Sequence, residues 1–346
     1  MVYIKLAIIA LVIVVGAFYI DIDNWTPFMP NGFSGVMGGV SAVFFAYIGF
    51  DAVSTLAEES KNPQRDLPKG MIYSLAICTV VFIVLALVIT GMVSYELLGV
   101  SDPLAEIFAL KGVKWMLFIV SIAAVVAMTS VLLVFQMGQP RIWMTMSRDG
   151  LMPKQFSKIH PKYKTPGFAT IITGLVVGIP IFFTDENFVL DFTSIGTLFA
   201  FVLVCGGVLL LSPQTESELA ERQSKGKFKI PYINSKYIFP MMVIGSFVLV
   251  NGLFPTFFTE TFDFSEDKIA TNIPMLFFFG LCVVMAILSF LKSLSLIALL
   301  GLISCCYLLT GMAVSNWKWF GVWLLIGLVF YFCFGFKNSK LNTQKV

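Results

Sequence analysis

Ten long apolar runs, bounded by polar clusters, follow one another along this chain: 3–20, 34–55, 71–93, 113–136, 167–183, 193–212, 237–256, 273–291, 294–313 and 317–336. Each is close to the roughly 20 residues that a helix needs to cross a bilayer core. The runs are too long and too uniformly apolar for the alternating strands of a barrel, and backbone polar groups must find partners within the segment in lipid, so the pattern predicts α-helices. The expectation is an all-α integral membrane protein of about ten transmembrane helices. An even count places both termini on one side.

The side follows from the basic residues, because short loops rich in Lys and Arg stay cytoplasmic. Loops 56–70, 137–166 and 213–236, the turn at Lys292 and the tail 337–346 hold 18 of the 23 Lys and Arg. The opposite face has Lys111, Lys114, Lys268 and Lys318. Both termini are therefore expected to be cytoplasmic, in a plasma membrane or a bacterial inner membrane. Lys5 followed by an apolar core from Leu6 to Phe18 also has the order of a signal peptide, but the residues after Ala17 offer no clear small-x-small cleavage site. The first run is accordingly read as a span.

Composition agrees with the pattern and narrows the function. Of the 346 residues 58% are hydrophobic and 12% charged, where soluble domains have about 45–50% and about 25%. That excludes a soluble globular protein, and a net charge of +3 is too small to suggest nucleic-acid binding. The six cysteines all fall inside apolar runs without metal-ligand spacing, and read as small buried hydrophobes. No phosphate-binding glycine loop with its lysine is present, so ATP-driven transport by this chain is not indicated, and no cofactor is expected. The lone histidine, His160, has no acid or second histidine at ligand spacing and reads as a loop residue.

Ionisable groups inside spans are costly and are functional candidates by default. Two stand out. Lys5 lies about a turn into the first run, where a lysine can snorkel to the headgroups along its stem. Asp51 lies near the cytoplasmic end of the second run, where it either serves function or finds a hydroxyl or amide partner. The second run, Gly35 to Thr55, mixes glycines with polar groups. Transporters use broken helices of this kind to aim free carbonyls and half-helix ends at substrate, whereas packed helices use the same small residues for close contact. In the fourth run, Thr129 and Ser130 place adjacent hydroxyls in apolar surroundings, able to ligate a small cation or to bond back to the carbonyl four residues earlier.

The stretch Phe44-Phe45-Ala46-Tyr47-Ile48-Gly49-Phe50-Asp51-Ala52-Val53-Ser54-Thr55-Leu56-Ala57-Glu58-Glu59, with Lys61-Asn62-Pro63-Gln64-Arg65-Asp66-Leu67-Pro68 after it, resembles the amino acid-polyamine-organocation permeases. The likeness is greatest to their cationic amino acid transporter branch. Asn24-Trp25-Thr26-Pro27-Phe28, Thr129-Ser130-Val131-Leu132-Leu133, Gly138-Gln139-Pro140-Arg141, Met146-Ser147-Arg148-Asp149-Gly150-Leu151 and His160-Pro161-Lys162 extend it in order over residues 1 to about 212. The last four spans fit by position only.

The resemblance implies a partial inverted-repeat (LeuT-like) transporter fold that starts at the family's fifth helix and lacks the first four. Residues 1–212 would be the transporter core, resembling helices 5 to 10. A basic cytoplasmic loop at 213–236, four C-terminal helices within 237–336 and a cytoplasmic tail at 337–346 would complete it. The second run would be the unwound sixth helix, with carbonyls at Phe45, Ala46 and Ile48 holding the substrate's α-amino group and Phe50 as the aromatic gate. Lys5 resembles the fifth-helix lysine that takes the place of a sodium ion in proton-coupled members, with Thr129 and Ser130 the hydroxyls beside it. A lysine in low dielectric beside hydroxyls releases its proton more readily, so protonation would bias which side is open. The glycine-rich break that receives the substrate carboxylate belongs to the first helix.

The implied function is amino acid transport by alternating access, proton-coupled, as the C-terminal portion of a permease. The partners are a small amino acid, the lipid bilayer, and an upstream chain or longer parent protein supplying the other helices. The alternative is an inactive membrane-embedded remnant. Retention of Lys5, Gly35, Gly38, Gly39 and Gly49 weighs against long decay. An enzyme is not expected, because no nucleophile, base and orienter can be assembled from these spans.

Overall fold

The computed structural model describes residues 2–55, 60–100, 102–210, 232–254 and 266–340, with the side chains of Ser34, Thr55 and 266–271 left aside. Most of the basic loop 213–236 and of the tail lies outside them. The helices are α1 (Val2–Ala17), α2 (Gly32–Tyr47), α3 (Ala52–Thr55), α4 (Pro63–Met92), α5 (Pro103–Leu110), α6 (Lys114–Arg148) and α7 (Gly167–Gly178). They continue with α8 (Glu186–Leu210), α9 (Ile238–Leu253), α10 (Glu266–Lys292), α11 (Leu296–Thr310) and α12 (Val314–Phe330). Six helical segments are long and apolar enough to cross a membrane and four shorter apolar ones stand beside them, at the ten places the hydropathy pattern marks. The protein is an all-α integral membrane protein.

The described chain forms two compact units, each discontinuous in sequence. The first holds α1, α3 to α7 and the segment after Phe330. Its core joins Val12 of α1, Val88 and Met92 of α4, Ile107 and Phe108 of α5, and Met116 and Val120 of α6. α1 and α4 come close because Gly16 has no side chain; a Cβ there would lie 2.5 Å from Val88 Cγ1 and 2.9 Å from Met92 Sδ. The short α5 is started by Asp102, whose carboxylate accepts from the Ala105 N–H at 3.3 Å, and by Pro103 in its first turn. Its buried face, Ala105, Ile107 and Phe108, closes this end of the core.

The exposed carbonyls at the end of α4 are satisfied from a distant turn. The Gly91 carbonyl accepts from Asp21 N–H at 2.8 Å and from Asn24 Nδ2 at 2.8 Å, and Trp25 Nε1 donates to Thr90 Oγ1 at 3.2 Å. The turn can dock so closely because a Cβ on Gly91 would meet Ile20 Cγ2 at 3.0 Å and the Trp25 ring at 3.1 Å. At the other end of the unit, Trp143, Phe156 and Phe168 stack edge to face, with centroids 5.4 and 5.1 Å apart, and hold the loop after α6 against α7.

The second unit holds α2 and α8 to α12. Ile195 and Leu198 of α8 pack with Leu309 and Met312 around α11 and with Phe320 of α12. Below them Leu209, Phe239, Leu296, Leu299 and Leu302 form a second cluster. α2 enters this unit at Ser41, which is buried and packs directly on Gly311, where even a Cβ would collide with the serine side chain. A polar pair stands beside the aromatic residues: the buried Asn316 donates through Nδ2 to Oδ2 of the half-buried Asp191 at 2.6 Å.

Of the six cysteines, Cys282 is buried, Cys205, Cys305 and Cys306 are half-buried, and Cys78 and Cys333 are exposed on the outer surface. The reading of all six as buried is corrected: in a membrane protein an apolar run faces lipid as readily as core, and a small thiol suits both.

Candidate functional site

The second run is one hydropathic stretch but two helices. α2 ends at Tyr47, Ile48 turns extended with φ −60° and ψ 135°, Gly49 takes φ +118°, and α3 resumes at Ala52. A φ of that sign is open to glycine and strained for residues with a Cβ. The bond between Ile48 and Gly49 is also where the chain leaves the second unit and enters the first.

The break is held by local hydrogen bonds. Ile48 N–H donates to the Phe45 carbonyl at 3.1 Å, closing a tight last turn. The Asp51 carboxylate accepts from Gly49 N–H at 3.1 Å, and Ala52 N–H returns to the Gly49 carbonyl at 3.1 Å. Ser54 donates through its backbone at 2.9 Å and its hydroxyl at 2.6 Å to the Asp51 carbonyl. Asp51 therefore caps the break, the amide-partner role left open by its sequence. A helix that stops at Tyr47 leaves its final carbonyls without the amides four residues on. Phe45, Ala46 and Ile48, the three predicted carbonyl donors, lie in this turn, and the half-buried Phe50 follows it.

Gly38 and Gly39 of α2 are not used for close packing among the described residues, since a Cβ on either would meet nothing within 4 Å, whereas a Cβ on Gly35 would lie 2.5 Å from Asn31 Cβ. Gly39 instead lines an open apolar groove of about 460 Å³ with Val36, Val40, Val43, Tyr47 and Leu308.

Lys5, Thr129 and Ser130 all belong to the first unit. α1 and α6 both contribute to the core that joins Val12 to Met116 and Val120. Lys5 stands seven residues before Val12 and Thr129 nine after Val120, about 10 and about 14 Å along their own helices. Lys5 is half-buried, and among the described residues it makes no hydrogen bond or ion pair. Thr129 donates back to the Val125 carbonyl at 2.8 Å, as Thr79, Thr173 and Ser194 do to theirs.

His160 is a loop residue, as its sequence surroundings suggest: its Nδ1 accepts from the N–H of Lys162 and of Tyr163 at 3.3 Å. Among the described residues no three His, Cys, Asp or Glu converge as metal ligands. Two functional-looking features escape a reading by runs, the clip of Asn24 and Trp25 on α4 and the Asp191–Asn316 pair. The motif at Asn24 was a signal for the first. Asp191, just ahead of the run that begins at 193, gave none.

A family model described as amino acid permease matches residues 1–278. The chain belongs to this family. The chain is 34% identical over 343 residues to the branched-chain amino acid permease BcaP of Bacillus subtilis, covering 99% of this chain and 59% of that protein. It is 42% identical over 231 residues to the methylthioribose transporter of the same organism, covering 66% and 48%. To the chloroplastic cationic amino acid transporter 9 of Arabidopsis thaliana it is 44% identical over 220 residues, covering 63% and 39%. The chain thus spans about half the length of these relatives, which carry the matched stretch within longer chains and give no support to a separate partner chain. The match to BcaP also takes in the last four spans, which the motifs alone had placed only by position.

Proposed function

We propose that this permease moves amino acids across a plasma or bacterial inner membrane by alternating access, with both termini cytoplasmic and transport driven by protons. The observation that carries the reading is the break between α2 and α3. In a membrane, a helix that stops and restarts exposes backbone carbonyls that must meet protein, water or substrate. A ring of carbonyl oxygens suits the three N–H donors of an ammonium group, so the turn at Phe45, Ala46 and Ile48 is assigned to the substrate's α-amino group. Phe50, just past the break, is assigned as the gate over it.

Asp51 is occupied by the Gly49 amide and is not assigned to a substrate side chain. The permease relatives named for branched-chain and for cationic amino acids leave both classes as substrates to test. In this reading the chain corresponds to a permease from its fifth helix onward, and the group receiving the substrate carboxylate lies in the portion of the relatives that it does not span.

Lys5 is assigned to proton coupling, with Ser130 and Thr129. Its support is position: a single half-buried lysine inside α1, in the same unit as two adjacent hydroxyls of α6.

The test is uptake of labelled leucine, alanine and arginine into proteoliposomes with an inward-directed proton gradient, using the chain joined to the first four helices of the Bacillus permease. Accumulation that collapses with a protonophore supports the reading. No accumulation of any amino acid contradicts it and leaves a membrane-embedded remnant.

A further inference from the structure

We infer that the second unit carries a binding site for an anionic phospholipid, in a groove between α9 and α10 with a basic mouth. Two apolar hollows, of about 500 and about 370 Å³, adjoin along α9 and α10 and share Val243, Ile244 and Val283 in their walls. The smaller reaches Phe290 and Leu291 at the end of α10, and the larger reaches Val250 and Phe278. From Ile238, the first residue of α9, to Val250 is 12 residues, about 18 Å of helix, a little more than half of a hydrocarbon core of roughly 30 Å.

The mouth is charged and built. Lys236 Nζ stands 5.6 Å from the ring centres of both Tyr237 and Phe290, and Phe290 itself lines the groove. Lys292 occupies the last turn of α10, where the helix end favours a cation. The segment that carries Lys236 is fixed to the turn after α10: Ser235 Oγ bonds Ser289 Oγ at 2.6 Å and donates to the Leu294 carbonyl at 2.7 Å, with both serines fully buried. Residues 232–254 and 272–330 contain no Asp or Glu, and Glu266 and Asp267 stand at the opposite end of α10 from Lys292. Two ammonium groups at the membrane surface, above an apolar slot, match a phosphate headgroup and its chain. That this surface is the cytoplasmic one rests on the orientation proposed above; the site itself does not.

Native mass spectrometry of the purified protein, equilibrated in mixed micelles with equal phosphatidylglycerol and phosphatidylcholine, tests the inference. Phosphatidylglycerol should be retained about five- to thirty-fold over phosphatidylcholine, and Lys236→Ala with Lys292→Ala should remove that preference. Ile244→Trp, at a position 65% exposed on the groove wall, should reduce retention of both lipids while leaving the melting temperature unchanged. Equal retention of the two lipids by the unaltered protein, or a preference that survives loss of both lysines, overturns the inference. So does an Ile244→Cys variant that crosslinks to a second copy and carries no lipid. The micelle has no sides, so failure of the orientation would leave this result untouched.

Discussion

Gly49→Ala is the substitution to which the broken helix should be most sensitive. At φ +118°, an alanine would be held in a region that costs about 1–3 kcal/mol for a residue with a Cβ. Space is not the issue, since the new Cβ would meet only the Phe135 ring, at 3.9 Å. The same substitution also favours the competing unbroken helix by about 1 kcal/mol. Together these shift the balance by about 2–4 kcal/mol, or about 30-fold to nearly 1000-fold, against the break. Hydrogen exchange of peptides spanning 45–55, read beside thermal unfolding in detergent, reports on both routes. Either the melting temperature falls because the break persists under strain, or amides 49 to 51 gain protection because helix replaces it. Gly38→Ala is the control, because a Cβ there meets nothing within 4 Å and the backbone is helical. If Gly49→Ala matches Gly38→Ala in both readouts, the positive φ is not what defines this site.

Two further outcomes follow from the same structure. Phe50→Ala should speed the leak of preloaded labelled substrate from proteoliposomes, and an unchanged rate removes its role as gate. Gly16→Leu should destabilise the first unit by about 1–3 kcal/mol, because the contact with Val88 and Met92 has no room even for a Cβ; chemical denaturation of the detergent-solubilised protein should show it, and unaltered stability contradicts the close packing of α1 on α4.

All ten apolar helical segments, six of them long enough to cross a membrane, were legible because lipid favours apolar side chains along a crossing, and a run of apolar residues records that directly. Helix ends were less so. The run that stops at 136 continues as helix to Arg148, and the run that starts at 71 is helical from Pro63. Gln136, Gln139 and Arg141 end the apolar stretch without ending the hydrogen-bond ladder, so hydropathy marks the edge of the bilayer rather than the end of the helix. The break was legible in kind, from glycines and polar groups in an otherwise apolar run, but its cap by Asp51 was one of two open readings. α5 is eight residues long, too short to register as a run. Contacts between distant residues left least trace: Asn24 reaches the Gly91 carbonyl across 67 positions and Asn316 reaches Asp191 across 125. Such pairs are chosen by packing in three dimensions, which a single sequence does not display.

The central claim, a proton-driven amino acid carrier with its coupling group at Lys5, is met most directly by pH-driven uptake with Lys5→Met in the completed transporter. The account predicts that exchange of labelled for unlabelled amino acid persists while accumulation against a gradient is lost, because substrate still binds at the break but no proton is carried with it. Accumulation equal to that of the unaltered protein would contradict it.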